Sequence, residues 1–382
     1  MDFNLSSEQE LLRDGLTKFL AGRYGLEQSR AAAKTGAGWQ PEIWRGFAEE
    51  LGILGAPLPE EAGGIGGGAV ETMVIAEALG HALVVEPFVD TVVVAGGLLH
   101  RAGGERAHAL LAEIVAGSAV VAVAATEAAS GENWRDVDTT ARRDGDDWVL
   151  QGSKVMAVSA PLATHLLVTA RSSGARTDTD GISLFLVETD SAGGGFTAHP
   201  YRTIDDRRAA DLSFDAVRLP AAALVGDEGQ AWASLELARD EGAAAVCAEA
   251  VGGMRKVLAD TVEYCKQRQQ FGQPIGSFQA LQHRMVDMHM EVEQAAAAVY
   301  LAVLNLEAEP ATRAKAVSAA KATIGRAARF VGQNAVQLHG GMGMTEELAI
   351  GHYFKRLTAI QYEFGSTDQH ISRYAALTRP RE

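Results

Sequence analysis

The stretch Arg268-Gln269-Gln270-Phe271-Gly272-Gln273-Pro274-Ile275-Gly276-Ser277-Phe278-Gln279 decides how the chain is read. It is a polar turn marked by glycine and proline, set between two long segments of helical pattern. No proline lies between Pro220 and Pro274, between Pro274 and Pro310, or between Pro310 and Pro380. Alanine-rich amphipathic sequence fills those spans, as over residues 295–306 and 314–331. Long helices with short connections read as a bundle. Within the turn, an arginine at a helix end beside glycine suits bidentate contact with phosphate oxygens. Phe271 offers an aromatic face and Gln279 a bidentate amide. On spacing alone the same run is an interhelical turn with a surface arginine, because no general motif rule covers it.

Outward from the bundle, residues 120–126, 148–150, 166–170, 182–187 and 212–214 are short β-type runs separated by Gly, Asp and Ser turns. They predict a small antiparallel barrel or sandwich. The segment before them reads as helices. Ser6 followed by Gln9 resembles a capping box, and Leu11, Leu12, Leu16, Phe19 and Leu20 then recur at helical spacing. The glycine run 63–68 is a turn: its spacing is not GxGxxG and no strand precedes it. The expectation is an α+β multidomain chain: an N-terminal helical domain over 1–118, a middle antiparallel β domain over 119–228 and a C-terminal four-helix bundle over 229–382. No alternation of strand and helix appears, so a Rossmann fold is not expected.

Composition sets outer limits. The 382 residues exceed what one core usually spans, so two or three domains are expected. Hydrophobic residues make up 47% and charged residues 22%, ordinary for a globular protein. A formal net charge of -15 argues against nonspecific binding to nucleic acid or anionic membranes. The two cysteines, Cys247 and Cys265, form no disulfide framework or CxxC motif, which fits a reducing cytoplasm. The start, Met1-Asp2-Phe3-Asn4, is acidic and polar, unlike a signal peptide. No apolar run is long enough for a bilayer span, so membrane insertion is not expected. No metal site is expected either.

A second motif is Gln337-Leu338-His339-Gly340-Gly341-Met342-Gly343-Met344-Thr345. Glycines there let a backbone approach a ligand and leave N–H groups for phosphate oxygens. The alternative is a helix stop. His339 taken alone is more often a packed histidine than a catalytic one.

Together these two runs resemble the acyl-CoA dehydrogenase family, and the resemblance covers essentially the whole chain. Residues 51–55 with 59–64 look like its N-domain motif, and Gly152 with Lys154 like the Gly-x-Lys of its middle domain. The resemblance implies FAD as cofactor and α,β-dehydrogenation of an acyl-CoA thioester in fatty-acid or acyl-CoA catabolism. It implies that Arg268 contacts the FAD pyrophosphate of a neighbouring subunit, with Phe271 near the adenosine and Gln279 in reach. Gln337, Gly340 and Gly341 would complete that site. Thr126 matches a threonine that bonds the flavin ring, and Thr367 with Gln369 a pair that touches the adenine end. A shared site implies an oligomer, usually a tetramer, and the family implies an electron-transfer flavoprotein as acceptor.

The reaction needs a carboxylate base and donors on the thioester carbonyl. Many relatives supply the base from a Glu-Gly-Thr-x-Gln run; the matching run here is Gly365-Ser366-Thr367-Asp368-Gln369. Gly365, with only a backbone N–H, then stands at the usual base position. A register counted from Thr345 instead places Tyr362-Glu363 in the Tyr-Glu slot. Other relatives carry the base on the first bundle helix, where Gly242 falls at the position and Glu241 one residue before it, about 100° away. Asp240 and Glu249 lie on the same helix, and the alternative reading of Glu249 is an ion pair with an arginine between helices. Thus Glu241, Glu363, Asp240, Glu249 or no residue of this chain supplies the base. Met156 stands where relatives place an aromatic residue against the flavin.

These departures, with the Met1-Asp2-Phe3 start and the 351–358 run, resemble the small-subunit type of bacterial pimeloyl-CoA dehydrogenases. That type implies pairing with a second acyl-CoA dehydrogenase chain, as a homo- or hetero-tetramer. Three readings follow: an active dehydrogenase, a silent subunit completing its partner's FAD site, or a flavin monooxygenase of the same fold. The intact RxxFG and QxHGGxG runs speak against the last.

Overall fold

A computed structural model describes residues 4–131 and 133–379; the Met1-Asp2-Phe3 start lies outside them. The first part is helical: α1 (Ser7–Arg23), α2 (Leu26–Thr35), α3 (Pro41–Glu49), α4 (Ala69–His81), α5 (Gly96–Ala102) and α6 (Glu105–Val115). The capping box is formed. Gln9 N–H donates to Ser6 Oγ at 3.2 Å, and Ser6 N–H donates to Gln9 Oε1 at 2.9 Å. That pair satisfies two of the donors a helix start leaves over. Leu16 and Leu20, one turn apart, are buried, whereas Leu11 is exposed. A π-helical turn, Val89–Ala95, precedes α5 and has no counterpart in the sequence reading. Its apolar run carries no periodic signal, and its place is held by Thr91 Oγ1 donating to Val121 O at 3.1 Å.

The middle part is one eight-stranded sheet: β1 (Val121–Ala124), β2 (Thr140–Asp144), β3 (Asp147–Val158), β4 (His165–Arg171), β5 (Ile182–Glu188), β6 (Phe196–Arg202), β7 (Arg208–Leu219) and β8 (Leu224–Val225). The order is β6-β7-β3-β2-β4-β5-β8, with β1 on β4. Pairing is antiparallel except β1 on β4 and the single Thr140–Arg171 pair of β2 with β4. β2 and β6 escape the sequence reading because their charges, proline and outward residues hide the alternation. The core beneath the sheet includes Trp148, Leu150, Phe185 and Phe214. Trp148 meets Phe185 edge-on at 5.1 Å. Burying a side chain such as Phe185 contributes about 1.5–3 kcal/mol.

The C-terminal part is helical again. It comprises α7 (Trp232–Gln267), α8 (Gln279–Val303), α9 (Pro310–His339), α10 (Ala349–Ile360) and α11 (Thr367–Thr378). A hairpin of β9 (Gln269–Gln270) and β10 (Gln273–Pro274) joins α7 to α8. Pro310 opens α9, where a missing N–H costs nothing. The expected order of helices, sheet and helices is met. By contact density, one compact unit holds Met1–Gln28, Ala69–Val84 and Ala243–Glu382, and the other Ser29–Gly68 and Val85–Gly242.

Candidate functional site

The α7–α8 hairpin turns on Phe271 and Gly272, both left-handed, with φ of 54° and 80°. Two positive φ values suit the tightest hairpin turns, but a phenylalanine there is strained. Its side chain is also 91% exposed, touching Phe278 edge-on at 6.1 Å. The turn is held from below: Arg268 N–H donates to Tyr264 O and Ile275 N–H to Arg268 O, both at 2.8 Å. Arg268 and Gln279 are exposed beside it.

The end of α9 is brought to the same region. Tyr264 stacks on His339 at 4.3 Å, and its hydroxyl donates to His339 O at 3.4 Å. His339 is therefore a packing residue; it is buried, its Nδ1 bonds Ala335 O at 2.9 Å, and burial lowers its pKa. Gln337, Gly340 and Gly341 are exposed. A side chain added at either glycine would point into open space, so a ligand can approach the backbone there. Ser366 caps α11, its Oγ accepting from Gln369 N–H at 3.3 Å. Thr367 packs on α9: a methyl group at Gly325 would fall 2.1 Å from Thr367 Oγ1.

In the sheet, Thr126 is half-buried and its carbonyl accepts from Val155 N–H at 2.9 Å. Next to it Glu127 forms a buried ion pair with Lys154 at 2.6 Å, and Lys154 also donates to Thr169 Oγ1 at 2.9 Å. Burial pushes Lys154 down to about 8 despite Glu127. Met156, two residues on, combines φ of 53° with 51% exposure.

The carboxylates separate into two groups. Glu241, half-buried, accepts from Arg101 of α5, Nη1 to Oε1 at 2.9 Å. Asp240 is wholly buried. Glu363 is gripped by Arg356 of α10 through Nη1 and through Nη2, the latter at 2.9 Å. The same guanidinium holds Glu249 of α7 through Nε at 2.6 Å and Nη2 at 2.8 Å. Glu249 is thus an interhelical partner of arginine. Gly365 has φ of 116°, and its N–H donates to Tyr362 O at 3.3 Å. Sequence reasoning missed Arg101, Arg356 and Lys321. The last is wholly buried, with Nζ donating to Ile360 O at 2.8 Å and Gly365 O at 2.9 Å. A lysine set between alanines, Ala319-Ala320-Lys321-Ala322, is the signal the sequence offers. Among the described residues, no cluster of His, Cys, Asp and Glu could hold a metal ion, and no helix is long and apolar enough to cross a membrane.

Three family models match the chain: acyl-CoA dehydrogenase N-terminal domain over residues 6–118, middle domain over 122–217 and C-terminal domain over 229–376. The acyl-CoA dehydrogenase FadE12 of Mycobacterium tuberculosis is 34% identical over 356 residues, covering 90% of this chain and 89% of the relative. Butyryl-CoA dehydrogenase from Megasphaera elsdenii superposes with a TM-score of 0.89 at 27% identity, covering 99% of this chain and 100% of the other. A chain of the ChsE4–ChsE5 complex from Mycobacterium tuberculosis does so at 0.88 and 25% identity, covering 100% of both.

Proposed function

The chain belongs to the acyl-CoA dehydrogenase family and is an FAD-dependent enzyme of it, and from that premise we propose that it oxidises a thioester between its α and β carbons with Glu241 taking the α-proton. The observation that supports this most is Phe271, a strained aromatic residue left 91% exposed. Strain persists where surrounding structure over-determines it, commonly at ligand sites. The residues fit FAD: an exposed guanidinium, an exposed ring and an open glycine pair stand on one compact unit. Arg268 and Gln337 would hold the pyrophosphate bound to a neighbouring subunit. Phe271, Gln279, Gly340 and Gly341 would flank its adenosine half, with Thr367 and Gln369 at the adenine end. Thr126 would bond the flavin ring. When bound, FAD supplies at N5 the acceptor for the β-hydride.

The proton falls to the chain itself. A proton arriving on Glu363 must displace N–H donors on both its oxygens, while Arg356 is also committed to Glu249. Arg101 reaches Glu241 through Oε1. A base needs an oxygen that can leave its partner for the substrate, and the commitment of both Glu363 oxygens to Arg356 turns the assignment to Glu241. Gly365 cannot be replaced by the usual glutamate without strain, since its φ is 116°. We retain the division at 118 and 228, an electron-transfer flavoprotein as acceptor, and a tetrameric assembly as parts of this reading.

The test is anaerobic titration of the purified chain with straight, branched and ring-bearing acyl-CoA thioesters. Bleaching of oxidised flavin absorbance is expected, abolished by Glu241→Gln and retained by Glu363→Gln. A second reading is favoured by the arginine-locked Glu363 and the glycine at 365: a silent subunit lending Arg268 and Gln337 to a different dehydrogenase chain. Flavin that stays oxidised with every thioester until a second chain is added would establish that reading.

A further inference from the structure

The turn between α10 and α11 is held far more firmly than closing a helix pair requires. Lys321 lies in the middle of α9 with no exposed surface. Its ammonium donates to Ile360 O at 2.8 Å, Gln361 O at 3.3 Å and Gly365 O at 2.9 Å. Three acceptors match the three donors of a lysine. Ile360 and Gln361 are at the C-terminal end of α10, where carbonyls lack helical partners and the dipole attracts a cation. Gly365 lies across the turn, just before the α11 cap. One buried charge therefore ties both ends of the turn together.

Between those ends the backbone is strained. Phe364 and Gly365 have φ of 55° and 116°. Phe364 O bonds His370 Nε2 at 3.0 Å, and the Glu363 carboxylate is tied to Arg356. Burying an ammonium is costly unless it is fully bonded. An exposed loop would satisfy these carbonyls with water at no such cost. Cys247 of α7 lies within electrostatic reach of Lys321; burial pushes its thiol up to about 12 and the lysine pulls against that.

We propose that Lys321 is a positioning residue, whose ammonium holds the 360–365 turn in the shape that receives the acyl thioester. This rests on the dehydrogenase reading above, in which Gly365 stands at the place relatives give to their base. Lys321 touches neither substrate nor cofactor; it acts through the carbonyls it binds.

The test compares FAD-loaded wild type, Lys321→Met and Lys321→Arg. Amide hydrogen exchange over residues 360–367 is measured by mass spectrometry, and octanoyl-CoA binding by the flavin spectral change. In Lys321→Met, exchange in the turn should rise at least tenfold while α8 stays protected. The octanoyl-CoA dissociation constant should rise at least tenfold at unchanged FAD content, and Lys321→Arg should recover part of both. Faster exchange with unchanged octanoyl-CoA binding would overturn the proposal, leaving Lys321 a helix cap. Unchanged exchange would overturn it as well. If Lys321→Met does not fold, Lys321→Arg decides: its larger head must shift the carbonyls, and wild-type octanoyl-CoA binding in it overturns the proposal. Failure of the wild type to bind any thioester refutes the dehydrogenase reading instead, and exchange in the turn then decides alone whether Lys321 holds it.

Discussion

Two turns of the helical unit carry the same local structure and opposite surroundings. Phe271-Gly272 joins α7 to α8 and Phe364-Gly365 joins α10 to α11; each is a left-handed phenylalanine before a left-handed glycine. The first ring is 91% exposed. The second turn is filled from within by Lys321, Arg356 and His370. Backbone geometry alone therefore does not assign a role. A strained turn left uncovered points to something that arrives from outside. A strained turn clamped by buried cations points to a shape the fold itself must keep.

The largest expected effect tests where chemistry goes if the clamped turn offers no base. Glu241→Gln should lower kcat by roughly 10²–10⁴-fold, the usual worth of a positioned proton acceptor. Glu363→Gln should change kcat far less, because its carboxylate already serves Arg356. Rapid-reaction flavin reduction with the best thioester of the panel measures both; the opposite ranking would move the base to the clamped turn. Next comes the clamp. Arg356→Ala takes the guanidinium from Glu249 and Glu363, and breaking a buried ion pair by removing one partner costs about 3–5 kcal/mol. Urea unfolding of the FAD-loaded protein should show that loss, whereas a change below about 1 kcal/mol, the worth of an exposed pair, would mean the cluster is not buried in solution.

The contrast also explains what the sequence could disclose. The capping box of Ser6 and Gln9 spans four residues, and the run from Arg268 to Pro274 that holds the Phe271 hairpin spans seven, so both are written in nearby letters. Lys321 reaches Gly365 across 44 positions, Arg356 reaches Glu249 across 107, and Arg101 reaches Glu241 across 140. Such pairs exist only once helices pack, and a single sequence holds no record of which arginine meets which glutamate. Glu249 illustrates the limit. Its place among alanines showed that it must be bonded or functional, but only the fold supplies Arg356 as its partner. The strands β2 and β6 were hidden for a related reason, since mostly outward-facing residues leave no alternation to detect.

A smaller effect probes the open turn. Phe271→Ala should leave apoprotein stability within about 0.5 kcal/mol, as for other surface changes. FAD should bind less tightly by about 1–3 kcal/mol, the typical worth of an aromatic side chain stacked on a base. Equilibrium dialysis of FAD checks this. Unaltered affinity would make the exposed ring a protein-docking residue and not a cofactor contact.

The smallest effect concerns a third way of keeping charge, the buried pair beside Thr126. Burial pushes the Glu127 carboxyl up, but the Lys154 charge and hydrogen bond, aided by Thr139, bring it below its ordinary 4.5. Burial pushes Lys154 from 10.5 down to about 8. Both shifts have the same consequence. Below 4.5, the unfolded chain holds a proton that folded Glu127 refuses, so stability is lost as pH falls through the folded value. Between 8 and 10.5, unfolded Lys154 holds a proton the folded chain releases, so this group's contribution rises with pH. Urea midpoints of wild type should therefore fall more steeply below 4.5 than those of Glu127→Gln, and Lys154→Met should lack the alkaline rise. Parallel curves for all three proteins would mean that the pair titrates alike in the folded and unfolded chains. It would then be a packing device of the sheet, unlike the clamp on Glu249 and Glu363, whose Arg356 carries its charge at every pH of the experiment.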